Sequence, residues 1–401
     1  MVAFPRDLAR PAALSWRQCP LPPASRRQGW CRGGMPWTIR ATMPTDLLNQ
    51  EEPTLTTTSP AAHNNLQLLA AARSGDETAF AELTQPLQRE IHIHCYRMLG
   101  TLHDADDALQ ETLLRAWRQL DRFEPRAPLR AWLYRIATNV CLTFLERRSR
   151  RSEVPLTALD GVLAAAPVQG GEPMPLQPYP DHLLRPAATL ATNPELQAEQ
   201  NENVALAFIA AVQLLPARQR AAFLLREVIG YSAAEVARML HTSVASVNSA
   251  LQRARSTIAL GQTTGTIARA HISPGADTEQ ALVQRLIDAW ESADVGAIVD
   301  ILSEDALFSM PPLPYHYVGR DAIARFLTTV PARGRLDHFR LIPIRANHQP
   351  AVAAYWRKDG TGTYTAHAVM VIACSRGKIA SLTRFDELTL FSCFGLPLAL
   401  A

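Results

Sequence analysis

The sequence predicts a multidomain protein, two all-α helical units followed by an α+β unit, and three observations carry that prediction. The chain has 401 residues, and since single domains cluster at roughly 100–150 residues, two or three compact units with connectors are expected. Apolar residues recur at helical spacing through residues 66–148 and again through 195–260. After residue 277 one helical stretch gives way to alternating segments at Tyr364–Ile372 and Ile379–Phe385, the pattern of strands with one buried face.

The elements follow in order. Residues 1–62 show neither periodicity; Arg6, Arg10 and Arg17 are interrupted by Pro5, Pro11 and Pro20, and no apolar core of a secretory signal follows. This extension is expected to be disordered or untranslated, with the start left open between Met1, Met35 and Met43. The first helical unit spans 64–151. Leu66, Leu69, Ala70 and Arg73 begin a helix that Gly75 stops, and Asp76 is placed to cap the next. That second helix is expected to break near Pro86 and resume through Ile91, Cys95, Met98 and Leu99 to Gly100. The third runs from Asp104 to about Leu120 with Leu109, Leu113, Ala116, Trp117 and Leu120 on one face, and the fourth from about Leu129 to Arg148. Eight prolines between Ser152 and Pro194 make residues 152–194 an extended linker. Helices return in 195–260, Pro216 opening one and Gly230 ending it. Residues 261–275 form a second linker before the α+β unit at 277–395.

Composition excludes several classes. At 47% hydrophobic residues the chain can build cores, yet no apolar run approaches the roughly 18–20 residues that cross a bilayer, so no membrane partner is expected. The balance of 40 basic and 37 acidic side chains leaves only +3, so any nucleic-acid surface must be local. Cys19, Cys31, Cys95, Cys141, Cys374 and Cys393 form no short-spaced pair, which fits a reducing cytoplasm better than a disulfide framework.

Two segments carry chemistry. Residues 231–255 read as helix, short turn, helix. Val236, Ala237 and Leu240 from the first helix, with Val244, Val247, Leu251, Ala254 and Ile258 from the second, are expected to face the core. Ser246, Asn248, Ser249, Gln252, Arg253 and Arg255 are left outside, polar and neutral or basic as a helix entering a major groove requires. An ordinary helical hairpin with a solvated face fits the same pattern. The second segment mixes bases and aromatics: Arg126, Arg130, Trp132, Tyr134, Arg135 and Asn139, then Arg147 and Arg148. Rings can stack on unpaired bases while arginines hold phosphates. Trp132, Ile136, Val140 and Phe144 also fall on one four-residue stripe, so Trp132 reads equally as core.

Taken together, five blocks resemble the extracytoplasmic-function sigma factors of bacterial RNA polymerase: residues 94–100 (HCYRMLG), 104–117 (Asp104 through Trp117), 132–139 (WLYRIATN), 215–220 (LPARQR) and the helix-turn-helix. The resemblance covers about 64–151, as sigma region 2, and 195–260, as sigma region 4. The α+β unit resembles the cone-shaped SnoaL-like domain, on its opening helix, on Val318, Gly319, Arg320, Asp321, Ala322 and Ile323, and on its final strands.

The resemblance implies two partners, core RNA polymerase and promoter DNA. Asp107, Gln110, Glu111 and Arg115 would contact the polymerase clamp; Arg126, Arg130, Trp132, Tyr134, Arg135, Asn139, Arg147 and Arg148 would receive the melted −10 strand; the outward face of the last helix would read the −35 duplex. The lack of a basic residue at Asn248, Ser249 and Ala250 weakens phosphate anchoring there. No cofactor or metal is implied: in a helix His92 and His94 point about 200° apart and cannot chelate one ion. In the last unit His316, His367, Arg384 and Asp386 are candidates to line a cavity that could take an unknown small ligand. The rival readings are a SnoaL-like cyclase or isomerase fused to a DNA-targeting module, and a ligand-sensing helix-turn-helix repressor. The appended unit is expected to regulate in cis, and stopping the chain after Gly275 to lower transcription roughly tenfold or more.

Overall fold

The computed structural model describes residues 60–125, 128–149, 168–169, 175–184, 203–263, 276–313, 315–357 and 362–400. The expected N-terminal extension therefore lies almost wholly outside the described residues, as do Arg126 and most of both linkers. Four helices build the first unit: α1 (Pro60–Arg73), α2 (Glu77–Leu99), α3 (Leu102–Arg118) and α4 (Leu129–Ser149). Asp76 caps α2 as expected, its carboxylate accepting from the Thr78 and Ala79 N–H groups at 2.9 and 3.1 Å. Gly100 ends α2 at φ 85°, where a Cβ would also meet the Pro175 carbonyl at 2.5 Å. The expected break at Pro86 does not occur, because packing of α2 against α1, α3 and α4 outweighs the roughly 3 kcal/mol that an interior proline costs. α3 starts two residues before Asp104, since Thr101 rather than Asp104 supplies the N-cap. Ile91, Cys95, Met98, Ala105, Leu109, Leu133, Ala137 and Val140 fill the space between these helices.

The second unit contains α5 (Leu206–Gln213), α6 (Ala217–Phe223) extended by a π turn over Leu224–Val228, α7 (Ala233–Met239) and α8 (Val244–Thr263). Pro216 and Gly230 mark the starts and stops they were expected to mark. Ser232 and Glu235 form a reciprocal capping box on α7. Val236, Ala237, Val247, Leu251 and Ala254 are buried. Two assignments change: Met239 takes the core position expected of Leu240, and Val244, in the first turn of α8, is 43% exposed.

The C-terminal unit begins with α9 (Ala276–Glu291) and α10 (Val295–Ile301), followed by β2 (Leu302–Ser309), β3 (Tyr315–Val318) and α11 (Arg320–Thr329). The meander β4 (Phe339–Ala346), β5 (Gln349–Arg357), β6 (Tyr364–Ser375) and β7 (Lys378–Phe385) comes next, then α12 (Thr389–Cys393) and β8 (Ala399–Leu400). With β1 (Val168–Gln169) at one edge, the sheet runs β1-β3-β2-β7-β6-β5-β4, and β2 is parallel to β7. Leu286, Trp290, Ile298, Ile323 and Phe326 from the helices pack on Val352, Ala354, Met370 and Ile372 of the sheet.

The linker is not a free spacer. β1 (Val168–Gln169) pairs antiparallel with β3, and within 175–184 the side chains of Leu176, Tyr179 and Leu184 are buried. Proline forbids a helix but not burial of an extended chain, provided its N–H and C=O groups find partners.

Candidate nucleic-acid interface

On α3, Asp107 and Gln110 are exposed, while Glu111 and Arg115 are half-buried and bonded to each other at 2.7 Å across one turn. These four line one side of the helix, opposite Ala105, Leu109 and Thr112 in the core. They form a polar ridge beside the exposed Leu114.

The basic and aromatic segment divides. Trp132 packs against Phe123 at 5.0 Å between ring centres, and both it and Tyr134 are buried, at 7% and 1% exposure. Neither ring can serve as a stacking platform in this arrangement; the four-residue stripe belongs to the core. Arg130 donates to the Glu90 carboxylate at 2.9 Å and lies over the Tyr134 ring at 4.8 Å. Arg148 is turned inward onto Asp104 and the Leu99 carbonyl. That leaves Arg135 and Arg147 exposed on α4 with Asn139 half-buried.

Over this cluster sits Tyr231, from the loop before α7. Its ring is 5.9 Å from Tyr134 and 6.0 Å from the Arg130 guanidinium. The two helical units touch elsewhere as well: Gln213 donates to the Arg97 carbonyl at 2.9 Å, and Arg97 to the Asn203 carbonyl at 3.0 Å. Arg220, 6% exposed, bonds the Met98, Gln213 and Leu215 carbonyls, and burial pulls its guanidinium down to about 10.

On α8 the expected outward face is outward: Ser246, Asn248, Ser249, Gln252 and Arg253 are all exposed. Arg255 differs, since its guanidinium is held by the Glu227 carboxylate at 2.8 Å and so stabilises the fold of this unit.

The two histidines of α2 diverge. His92 lies 2.6 Å from the Tyr179 hydroxyl and 2.9 Å from the Asp106 carboxylate, whereas His94 meets the Thr138 hydroxyl at 2.9 Å. Burial, with Arg97 nearby, drives His94 down to about 3, so it is neutral. Among the described residues no cluster of His, Cys, Asp and Glu has the arrangement of a metal site, and no helix is long and apolar enough to cross a membrane.

Of the four cavity candidates, His367 and Arg384 line a pocket in the C-terminal unit. His316 is on β3, opposite Val168, and Asp386 is 55% exposed outside the wall, where it grips Arg384 at 2.7 Å. Arg384 pairs with both His367 and Asp386, while His316 alternates with the buried Tyr317 on β3 and Asp386 lies beyond the end of β7, so neither joins the pocket wall.

A junction that sequence reasoning missed joins all three units. Asn347, in the β4–β5 turn and fully buried, accepts from the Tyr179 N–H at 2.8 Å and donates to the Tyr96 hydroxyl at 3.0 Å and the Val204 carbonyl at 2.8 Å. Next to it Gln349 accepts from the first N–H of α5 at 2.8 Å, and Asp181 receives His348 N–H and Arg345. Gln177 accepts from the Leu102 N–H at 2.8 Å and donates to Glu387. Two adjacent polar turn residues were the only sequence signal.

Comparison with known proteins decides what carries this geometry. Residues 83–151 match the family model of Sigma-70 region 2, 205–258 that of Sigma-70 region 4, and 283–382 that of the SnoaL-like domain. ECF RNA polymerase sigma factor SigG of Mycobacterium tuberculosis H37Rv is 40% identical over 342 residues, covering 84% of this chain and 88% of that protein. The chain belongs to the extracytoplasmic-function sigma factors. SigM of the Erdman strain is 32% identical over 196 residues, 49% of this chain and 83% of SigM. The crystal structure of Mycobacterium tuberculosis SigJ superposes with a TM-score of 0.53 at 24% identity, covering 79% of this chain and 99% of SigJ, and so shares the fold. The first helical unit is thus sigma region 2, the second sigma region 4, and the last a SnoaL-like domain.

Proposed function

We propose that this sigma factor selects promoters for core RNA polymerase in the cytoplasm without catalysing a reaction itself, and that its SnoaL-like domain latches it in a closed resting state. In this reading Asp107, Gln110, Glu111 and Arg115 meet the polymerase. Arg135, Asn139 and Arg147, with Arg126, receive the −10 strand, and the α8 face reads the −35 duplex. The single observation that carries the latch is Asn347, whose side chain alone ties region 2, the linker and the entry to region 4 to one turn. Two DNA elements about 25 base pairs apart are separated by about 85 Å at roughly 3.4 Å per pair. Regions 2 and 4 are in direct contact and their longest helices span only about 30–35 Å, so both elements cannot be read until the units part. Tyr231 lying over Arg130 and Tyr134 points the same way.

The pairing of Arg384 with His367 and Asp386 disfavours the cyclase or isomerase reading, which needs a free acid or base in the cavity. The repressor reading leaves region 2 without a role.

Asn347→Gly tests the latch. Glycine suits the left-handed backbone at φ 56° while removing three buried hydrogen bonds, each worth roughly 1 kcal/mol. Run-off transcription at limiting core polymerase should rise about threefold or more. Transcription equal to or below the parent's, with folding intact by circular dichroism, overturns the latch. Truncation after Gly275 is a blunter test: loss of the latch should raise transcription, against the fall expected from the sequence, but it also strips the partners of the Val204 carbonyl and the Leu206 N–H.

A further inference from the structure

Helix α2 ends in a set of bonds that neither DNA reading nor the Asn347 latch requires. The last four carbonyls of a helix lack partners within it, and in α2 these belong to Tyr96, Arg97, Met98 and Leu99. The Gly100 N–H meets the Tyr96 carbonyl at 2.8 Å, and Arg148 of α4 reaches that of Leu99 at 3.3 Å. The two between them are met from region 4: Gln213 Nε2 donates to the Arg97 carbonyl at 2.9 Å, and Arg220 Nη1 to the Met98 carbonyl. Gly100 makes room for this approach, since a Cβ there would stand 3.0 Å from Gln213 Cδ.

Region 4 brings these donors already set. Arg220 also bonds within its own unit, to the Gln213 and Leu215 carbonyls at 2.8 and 3.0 Å and to the Gln213 side-chain oxygen. Because Gln213 Oε1 accepts from Arg220, the amide turns its Nε2 towards Arg97. Such a preformed prong loses little freedom on docking, and its guanidinium meets the negative end of the α2 dipole. Among the described residues no carboxylate is a partner of Arg220, so carbonyls and one amide answer its charge.

Helix α5 is therefore gripped at both ends, and by different units. Its first N–H rests on Gln349 of the SnoaL-like domain, with Asn347 on the nearby Val204 carbonyl, whereas Gln213 at its last position rests on region 2. The eight residues of α5 put about 10 Å between the two grips. Building on the promoter reading, we propose that the Gln213 and Arg220 corner is a second clasp, which keeps region 4 on region 2 after the SnoaL-like domain lets go. Full opening then needs both grips released, and their effects multiply as those of separate sites do. Loss of the Asn347 grip alone raises the open fraction but leaves most molecules closed.

Gln213→Glu isolates the clasp. It keeps the size of the side chain and gives Arg220 a carboxylate inside region 4, but sets an oxygen against the Arg97 carbonyl where a donor stood. Gln213→Met removes the same cross-unit bond without adding charge. Each is made in the full-length protein, alone and with Asn347→Gly, and read by small-angle X-ray scattering without polymerase and by run-off transcription at limiting core polymerase. Asn347→Gly alone should stay close to the parent's radius of gyration. Either double variant should expand, and should transcribe about threefold or more above Asn347→Gly, as the loss of one net hydrogen bond implies. Helical circular dichroism should match the parent's throughout. Double variants no larger than Asn347→Gly overturn the clasp, as does expansion with Met but not with Glu, which would mean lost packing rather than a lost bond. Expansion without a gain in transcription upholds the clasp and counts against the promoter reading instead.

Discussion

His94 and His367 are the residues through which acid should reach the fold. Both have their ring pKa depressed by burial, to about 3 and about 4, from an unfolded value of 6.5. Between pH 6.5 and those values the unfolded chain binds protons that the folded chain refuses. The stabilisation is therefore complete above pH 6.5 and is lost as pH falls through the window. Each histidine contributes up to a tenfold loss in the folding equilibrium constant per pH unit there. Urea denaturation at pH 7.5, 6.5 and 5.5 should show this decline. His94→Gln, which can still meet the Thr138 hydroxyl, and His367→Gln should each flatten it by up to about a factor of ten per pH unit; curves parallel to the parent's would reject the assignment. Arginines at the same scale act oppositely to their usual surface role. Arg220 is spent on three buried carbonyls and Arg148 on Asp104 and the Leu99 carbonyl, so neither is available to a phosphate.

At the scale of elements, α8 is the test of sequence against structure. Its buried stripe of Val247, Leu251 and Ala254 recurs at helical spacing, and that spacing fixes which side chains remain outside. Arg253→Ala should weaken −35 binding uniformly and reduce the salt dependence by about one counterion, whereas Asn248→Ala should relax base preference by roughly 1–3 kcal/mol. Footprints of the holoenzyme at several salt concentrations check both, and unchanged protection in both variants would refute this orientation of the helix. Periodicity was legible because it is local. Trp132 and Tyr134 were not, because a ring on a buried stripe and a ring on a stacking surface share one spacing, and only the Phe123 contact and the neighbouring His94 ring separate them. Pro86 misled for a related reason: local propensity records the cost of the residue but not the packing that offsets it. The Asn347 junction lay furthest out of reach, since its hydrogen bond to Tyr96 spans 251 positions and leaves no period in the chain.

At the scale of the whole molecule, the SnoaL-like domain holds the linker, Tyr96 and the entry to region 4 through bonds that share one turn, which makes their release cooperative. Tyr179 and Asn347 exchange N–H groups with each other's oxygens, the Tyr179 N–H reaching the Asn347 side chain and the Asn347 N–H the Tyr179 carbonyl, both at 2.8 Å. The Leu206 N–H rests on Gln349 of the next strand. If the turn withdraws, all three amides lose their acceptors in one step, because the linker, the α5 terminus and Tyr96 depend on the same two side chains. Such a sub-global opening releases its amides together at a free energy below that of global unfolding. Hydrogen–deuterium exchange should therefore find residues 175–184, 204–208 and 345–350 protected as a group in the free protein and exposed as a group once core polymerase is bound. Asn347→Gly should show the same exposure without polymerase, since it removes the acceptor of the Tyr179 N–H and the donor to Tyr96 and Val204 while sparing the helical cores. Retention of that protection in a transcriptionally active holoenzyme would mean that the SnoaL-like domain travels with both regions, and the latch would then be a permanent interface.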